Sequence, residues 1–386
     1  MNSNATSPRT LLEKLVAFDT VSRHSNLEMI AFMEHYLHDY GINSERIGND
    51  DGSRANLLAR IGPDVEGGVV VSGHTDVVPV DGQPWTSDPF TLTERDGKLF
   101  GRGSCDMKGY IACALALVPE WVKRDLKRPI YLAFSYDEEI GCLGAPRMIE
   151  RLVANCPKPA AVIVGEPTLM QPVTQQKGIT TLRTVVTGVE SHSSQVNQGI
   201  SAIHVAARLV TKIEAIMAEL ESEGHCNHAF NVPHSSLHVG KIEGGTAINI
   251  MARQCSFDWE IRHLPEDGFE MVFARFNDYA QALEKELKQR DSRARIDTTP
   301  LTAVVPGLAH RDNAQAIALC EQLLGQRELD AVAYATEAGQ FQNAGLEAII
   351  CGPGSITQAH QPDEFIAIEQ LAQGEAFMRR LGEALS

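Results

Sequence analysis

Residues 68–76 read GVVVSGHTD, a β-branched run that ends on a histidine and an aspartate. Consecutive valines without polar alternation mark a strand buried on both faces, as in the middle of a parallel sheet. The pattern recurs where IYLAFSY (130–136) runs into DEEIG (137–141) and where AVIV (161–164) runs into GEPT (165–168). It recurs again where EAIIC (347–351) precedes GPGS (352–355). Among these runs, apolar residues three and four apart predict helices over 11–18, 28–40, 107–123 and 145–154. Strands alternating with helices predict an α/β domain with a mostly parallel sheet. In such sheets ligands meet the loops just beyond the carboxyl ends of the strands.

Near residue 180 the pattern changes. A strand over 181–187, a helix over 201–220, strands over 235–241 and 255–261, a helix over 268–289 and a strand over 293–302 follow in turn. That is the order of a split, ferredoxin-like β-α-β unit. A helix over 314–324, the strand at 347–351 and a terminal helix from Ile368 then return to the first pattern. The predicted fold class is α/β: a domain of residues 1–179 and 303–386 with a mostly parallel sheet, interrupted by a ferredoxin-like α+β domain over 180–302. A hinge is expected near Lys177, Gly178 and Leu301.

The 386 residues carry 34 Lys and Arg against 50 Asp and Glu, a net charge of −16. Nucleic-acid binders and anionic-membrane clamps need a cationic face, so neither is expected as a partner. With 43% hydrophobic and 22% charged residues the composition is that of a globular protein. The apolar stretch at 109–119 is far short of a membrane span. MNSNATSPRT lacks the apolar centre of a signal peptide, and the eight cysteines form no CxxC pair and read as free thiols. A cytoplasmic location is the expectation.

His74, Asp76, Asp106, Glu138, Glu139, Glu166 and His360 all fall in or beside the predicted strand-end loops. Taken singly they say little, since a lone histidine after a strand is usually structural and a Glu-Glu pair is usually solvated. The loop GRGSCDMKG (101–109) fits neither GxxxxGK[ST] nor GxGxxG. Gathered on one sheet edge, however, so many carboxylates would repel each other unless cations neutralised them. A mixed histidine and carboxylate set suits Zn²⁺, Co²⁺ or Mn²⁺.

HTDVVP (74–79), GRGSCDMKG (101–109), DEEIG (137–141), GEPT (165–168) and AHQPDE (359–364), in this order and spacing, resemble the M20 family of di-zinc amidohydrolases and peptidases. The resemblance covers nearly the whole chain. It implies a zinc-hydrolase catalytic domain with two Zn²⁺ per subunit, Co²⁺ able to substitute, and an inserted domain through which a homodimer forms. It places His74 and Glu166 on one metal, His360 and Glu139 on the other, and Asp106 across both. A water shared between two such cations is acidified, and Glu138 is implied as its general base, with Asp76 orienting the His74 imidazole. His192, in GVESHSS (188–194), is implied to reach the active site of a partner subunit and stabilise an oxyanion. Arg262, together with Asn249 of GGTAIN (244–249), resembles the family's site for a substrate carboxylate, a task that suits a planar guanidinium.

Within the family, GEPT, TEAG (336–339) and CGPGSITQAHQPDEFI (351–366) look most like the members that hydrolyse N²-acetyl-L-ornithine to L-ornithine and acetate in arginine biosynthesis. Glu337 then becomes a selector for the substrate's cationic amine. Gly354 is expected, from its position alone, to offer its backbone N–H to substrate. Succinyl-diaminopimelate desuccinylases, aminoacylases and carboxypeptidases share the constellation and stay open as alternatives, as does a catalytically silent metal-binding module. The segment ESEGHCNHAFNVPH (221–234) holds metal-binding residue types without helical or zinc-finger spacing.

Overall fold

The computed structural model describes residues 7–386, which form two compact units. The first comprises the chain up to residue 175 with 308–330 and 336–386; the second comprises 176–307 and 331–335.

The first unit begins with α1 (Pro8–Val16), α2 (Leu27–Asp39), β1 (Ser44–Gly48), β2 (Ala55–Ile61), β3 (Val69–His74), β4 (Thr93–Arg95) and β5 (Lys98–Phe100). It continues through α3 (Lys108–Trp121), β6 (Ile130–Ser135), α4 (Ala145–Asn155), β7 (Ala161–Pro167) and β8 (Val173–Gln176). The second unit holds β9 (Gly178–Thr187), α5 (Ala202–Ser222), β10 (Ser236–Gly244), β11 (Gln254–His263), α6 (Gly268–Arg290) and β12 (Arg295–Pro300). After it come α7 (Ala314–Leu324), β13 (Asp330–Val332), α8 (Ala338–Asn343), β14 (Ala348–Gly352), β15 (Phe365–Ala367) and α9 (Ile368–Ala384).

In the main sheet of the first unit, strands run side by side in the order β1-β2-β6-β3-β7-β14-β8. The centre, β6-β3-β7-β14, is parallel, whereas β2 joins β6 and β1 joins β2 in antiparallel sense. Every residue of β3, β6, β7 and β14 is buried, as the unbroken apolar runs require. The β1–β2 pair was not foreseen: its edge strand SERIG is polar and has no apolar alternation. Helix α3 packs on α1 and α9, and its apolar run is core rather than membrane surface, with Tyr110, Ile111, Leu115 and Trp121 at or below 1% exposure. Among the described residues no helix is long and apolar enough to cross a membrane. Ser7 caps α1, its Oγ accepting Thr10 N–H at 3.2 Å, and Pro8 follows at the position where a missing N–H costs nothing.

The second unit is an antiparallel sheet of order β10-β11-β9-β12 with two helices, which is the split ferredoxin-like topology. Alternation along β11 buries Cys255, Phe257, Trp259, Ile261 and His263. Helix α6 answers with Val272, Phe276, Ala280, Leu283 and Leu287 at helical spacing. Each large apolar side chain so buried contributes about 1.5–3 kcal/mol relative to exposure. The fold is therefore α/β with a parallel sheet centre, plus an inserted antiparallel α+β unit.

Candidate metal centre

Because β3, β6, β7 and β14 are parallel, their carboxyl ends open on one edge, and the motif loops emerge there. His74 closes β3, Glu138 and Glu139 follow β6, Glu166 is the penultimate residue of β7, and His360 follows β14. Asp106 comes from the loop that opens α3. Its carboxylate offers one oxygen to each histidine: Oδ1 lies 3.1 Å from His74 Nε2 and Oδ2 lies 3.4 Å from His360 Nε2. Glu139 Oε2 is 2.9 Å from His360 Nε2, and Glu166 Oε1 is 3.9 Å from His74 Nε2. Two sets have ligand atoms all within 4.8 Å of one another, His74 with Asp106 and Glu139, and His74 with Glu138 and Glu166.

Burial makes the charge balance of this cluster acute. Burial raises Glu138 and Glu166 well above the usual carboxyl range, with neighbouring carboxylates adding to the shift, and it holds Glu139 at about 7. Burial opposes charge on Asp106 as well, yet hydrogen bonds with His360 and His74 outweigh it and keep that carboxyl low. His360, beside Asp106 and Glu139, is raised to about 10. The four carboxylates of Asp106, Glu138, Glu139 and Glu166 match in charge a pair of divalent cations. Nitrogen and oxygen donors facing one another at these distances fit Zn²⁺ or a similar borderline metal.

The surrounding groups differ in detail from the sequence reading. His74 Nδ1 is held by the backbone carbonyl of Asp76 at 2.8 Å, whereas the Asp76 carboxylate stands 3.7 Å away. That carboxylate instead accepts Ser22 Oγ at 2.7 Å and the backbone N–H groups of Glu138 and Glu139 at 3.1 and 3.3 Å. Asp137, just before them, adopts φ 55° and pairs with Arg54 at 2.9 Å. Glu337, read as the partner of a substrate amine, is 1% exposed; Ser72 Oγ donates to its Oε2 at 3.4 Å. Burial pushes its carboxyl to about 7. The Gly354 N–H, expected to face substrate, donates to Gln370 Oε1 at 3.1 Å. Gly354 is needed for another reason: at φ 91° a Cβ there would lie 2.5 Å from Cys105 Sγ.

In the second unit the segments carrying His192 and Asn249 pair: His192 bridges Ile250, and Ser193 N–H donates to the Asn249 carbonyl at 3.0 Å. Ser194 N–H donates to His192 Nδ1 at 3.2 Å, so the neutral ring carries its proton on Nε2. Arg262 is gripped side-on by Glu260, through Nε at 2.8 Å and Nη2 at 3.4 Å, while Nη1 donates to the Ala333 carbonyl at 3.1 Å. The histidine-containing segment resolves differently: His225 Nδ1 pairs with Asp267 at 2.8 Å, and no cluster of metal-site geometry among the described residues includes it. All eight cysteines are free thiols.

Sequence reasoning gave no role to Glu364 or Arg102, both buried and paired at 2.8 Å. Arg102 lies in GRGSCDMKG and Glu364 in AHQPDE, and the available signal was an ionisable residue placed beside glycines or a proline without an assigned task.

A model of peptidase family M20/M25/M40 matches residues 70–384. Acetylornithine deacetylase of Pasteurella multocida is 35% identical over 349 residues, 89% of this chain and 87% of that protein. The enzyme of the same name from Shigella sonnei is 36% identical over 344 residues, 89% of this chain and 86% of that one. Among solved structures, aminopeptidase PepT from Bacillus cereus superposes with a TM-score of 0.77 at 18% identity, covering 99% of both chains. This chain belongs to peptidase family M20/M25/M40. It is a metal-dependent hydrolase of that family, with two side-chain clusters suited to cations.

Proposed function

We propose that the protein hydrolyses the amide of N²-acetyl-L-ornithine to L-ornithine and acetate, a step of arginine biosynthesis, in the cytoplasm. The observation that carries the metal part of this reading is Asp106, whose two oxygens face two different imidazoles. The substrate part rests on similarity to curated relatives named acetylornithine deacetylase.

In this reading His74 and Glu166 would hold one Zn²⁺, His360 and Glu139 would hold the other, and Asp106 would serve both, with Co²⁺ able to substitute. Bound there, the cations would polarise the amide carbonyl and acidify the attacking water. Glu138 takes the proton from that water and later gives it to the leaving amine nitrogen. Asp76 positions Glu138 by accepting its backbone N–H, a contact supported at 3.1 Å. His192, with its proton on Nε2, reaches the active site of a partner subunit in this proposal and donates there to the oxyanion that develops on the former carbonyl oxygen. Arg262 and Asn249 receive the substrate carboxylate, Arg262 through guanidinium N–H groups beyond those that Glu260 and the Ala333 carbonyl engage. Glu337 adds negative potential that favours the cationic side chain of ornithine.

A homodimer through the inserted unit is part of the proposal. The apolar residues Val196, Ile203 and Ile248, exposed at 64%, 42% and 101%, favour such a contact. The test of substrate is ornithine release from N²-acetyl-L-ornithine by Zn- or Co-loaded protein, beside N-succinyl-diaminopimelate, N-acetylmethionine and a dipeptide. Preference for acetylornithine is expected. Preference for another of the four would keep the hydrolase and replace its substrate.

A further inference from the structure

The loop that carries Asp106 and the loop that carries His360 are tied together by one buried carboxylate. Glu364 Oε1 accepts the backbone N–H groups of Cys105 and Asp106 at 2.9 and 3.0 Å. Its Oε2 accepts Gly103 N–H at 3.0 Å and Arg102 Nη1 at 2.8 Å. Three backbone N–H groups thus converge on the carboxylate from a single loop, forming a concave anion nest.

The guanidinium behind it reaches the other ligand. Arg102 Nη1 also donates to the Gln361 carbonyl at 3.3 Å, and Nη2 donates to Gln83 Oε1 at 2.5 Å. Gln83 Nε2 in turn donates to the backbone carbonyl of His360 at 2.9 Å. A continuous circuit therefore runs from Asp106 through Glu364, Arg102 and Gln83 to His360. His360 sits at φ 62°, a conformation that its surroundings must enforce. Glu364 and Arg102 are both 1% exposed at the side chain, so neither charge is satisfied by water and each depends on the other.

We propose that Glu364, backed by Arg102, is a positioning residue that fixes the separation of Asp106 and His360 and thereby sets the affinity of the cation these two ligands share. The inference rests on the metal-centre reading above. It touches neither substrate nor reacting atoms, and it needs no change in the ligand set itself. A glutamine at 364 keeps the shape but turns N–H groups toward N–H groups. The Asp106 backbone then loses its anchor, and the two ligands drift relative to each other.

The test is calorimetric titration of metal-free protein with Zn²⁺, together with the visible spectrum after Co²⁺ loading. For Glu364→Gln one binding step is expected to lose about 10–100-fold in affinity and the cobalt bands to shift, the scale seen when partners of metal ligands are removed. Gln83→Leu leaves the buried ion pair intact and serves if Glu364→Gln fails to fold; a smaller loss in the same binding step is expected. If the unaltered protein binds two cations and a folded variant shows the same affinities and cobalt spectrum, the proposal is overturned while the metal centre stands. If the unaltered protein binds no cation, the metal-centre reading fails and takes the proposal with it.

Discussion

Asp76 Oδ1 accepts the backbone N–H of Glu138 at 3.1 Å, and the carbonyl of the same Asp76 accepts His74 Nδ1 at 2.8 Å. One residue thereby fixes the imidazole of a proposed metal ligand with its main chain and the proposed base with its side chain. Asp76→Asn keeps the carbonyl contact but turns an amide N–H toward backbone donors. The expected outcome is a drop of about 10–100-fold in kcat with both cations retained. Steady-state kinetics beside metal analysis would check it, and loss of a cation with unchanged turnover per loaded site would show that Asp76 acts on His74 alone.

Glu138 lies close enough to His74 and Glu166 to be a ligand, so its role as a base needs separating from that possibility. As the base, Glu138→Gln retains two cations and loses about 10²–10⁴-fold in turnover. Glu166→Gln, by contrast, should shed a cation. Atomic absorption on both dialysed variants distinguishes the roles, and a lost cation in Glu138→Gln would make Glu138 a ligand.

The side-on grip of Glu260 on Arg262 predicts a division between binding and chemistry. Lysine at 262 cannot present a planar fork, so Arg262→Lys should raise KM about 10–100-fold, the worth of one charged hydrogen bond, and leave kcat nearly unchanged. Glu260→Gln should raise KM less, because the guanidinium stays but is held more loosely. A fall in kcat with constant KM in both variants would place the substrate carboxylate elsewhere.

Lys177 gives a pH signature independent of the metal centre. Its Nζ donates to the His234 carbonyl at 2.5 Å, and burial, reinforced by the Arg262 charge, lowers its pKa from 10.5 to about 8. Between those values the unfolded chain binds more protons than the folded one, so this group makes stability rise with pH across the window from about 8 to 10.5. Below about pH 8 its unfavourable contribution is constant. Denaturant melts of the protein and of Lys177→Met, compared across that window, should show the former gaining on the latter. A flat difference would mean that Lys177 is solvated.

The central strands and the residues they deliver were readable because one cause produces both signals: a strand buried on two faces must be an apolar run, and its polar residues must wait until it ends. His74, Glu138, Glu139 and Glu166 follow from that rule. The second unit was readable because Phe257, Trp259 and Ile261 alternate while Val272, Phe276 and Leu283 keep helical spacing. What escaped depends on partners far apart in the chain. The three-residue strands β5 and β15 exist through the Phe100–Phe365 register, and neither is long enough to show a period. Whether the Asp76 carboxylate turns to an imidazole or to two backbone N–H groups is decided by where β3 and β6 end relative to each other. The use of Gly354 N–H by Gln370 likewise depends on where α9 packs, which the GPGS motif does not encode.

The most direct test is turnover of N²-acetyl-L-ornithine by protein stripped with a chelator, then titrated with Zn²⁺ or Co²⁺ while bound metal is counted. The account predicts no turnover in the stripped protein, recovery on adding either metal, and two cations per chain at saturation. Full turnover by the stripped, metal-free protein would contradict it.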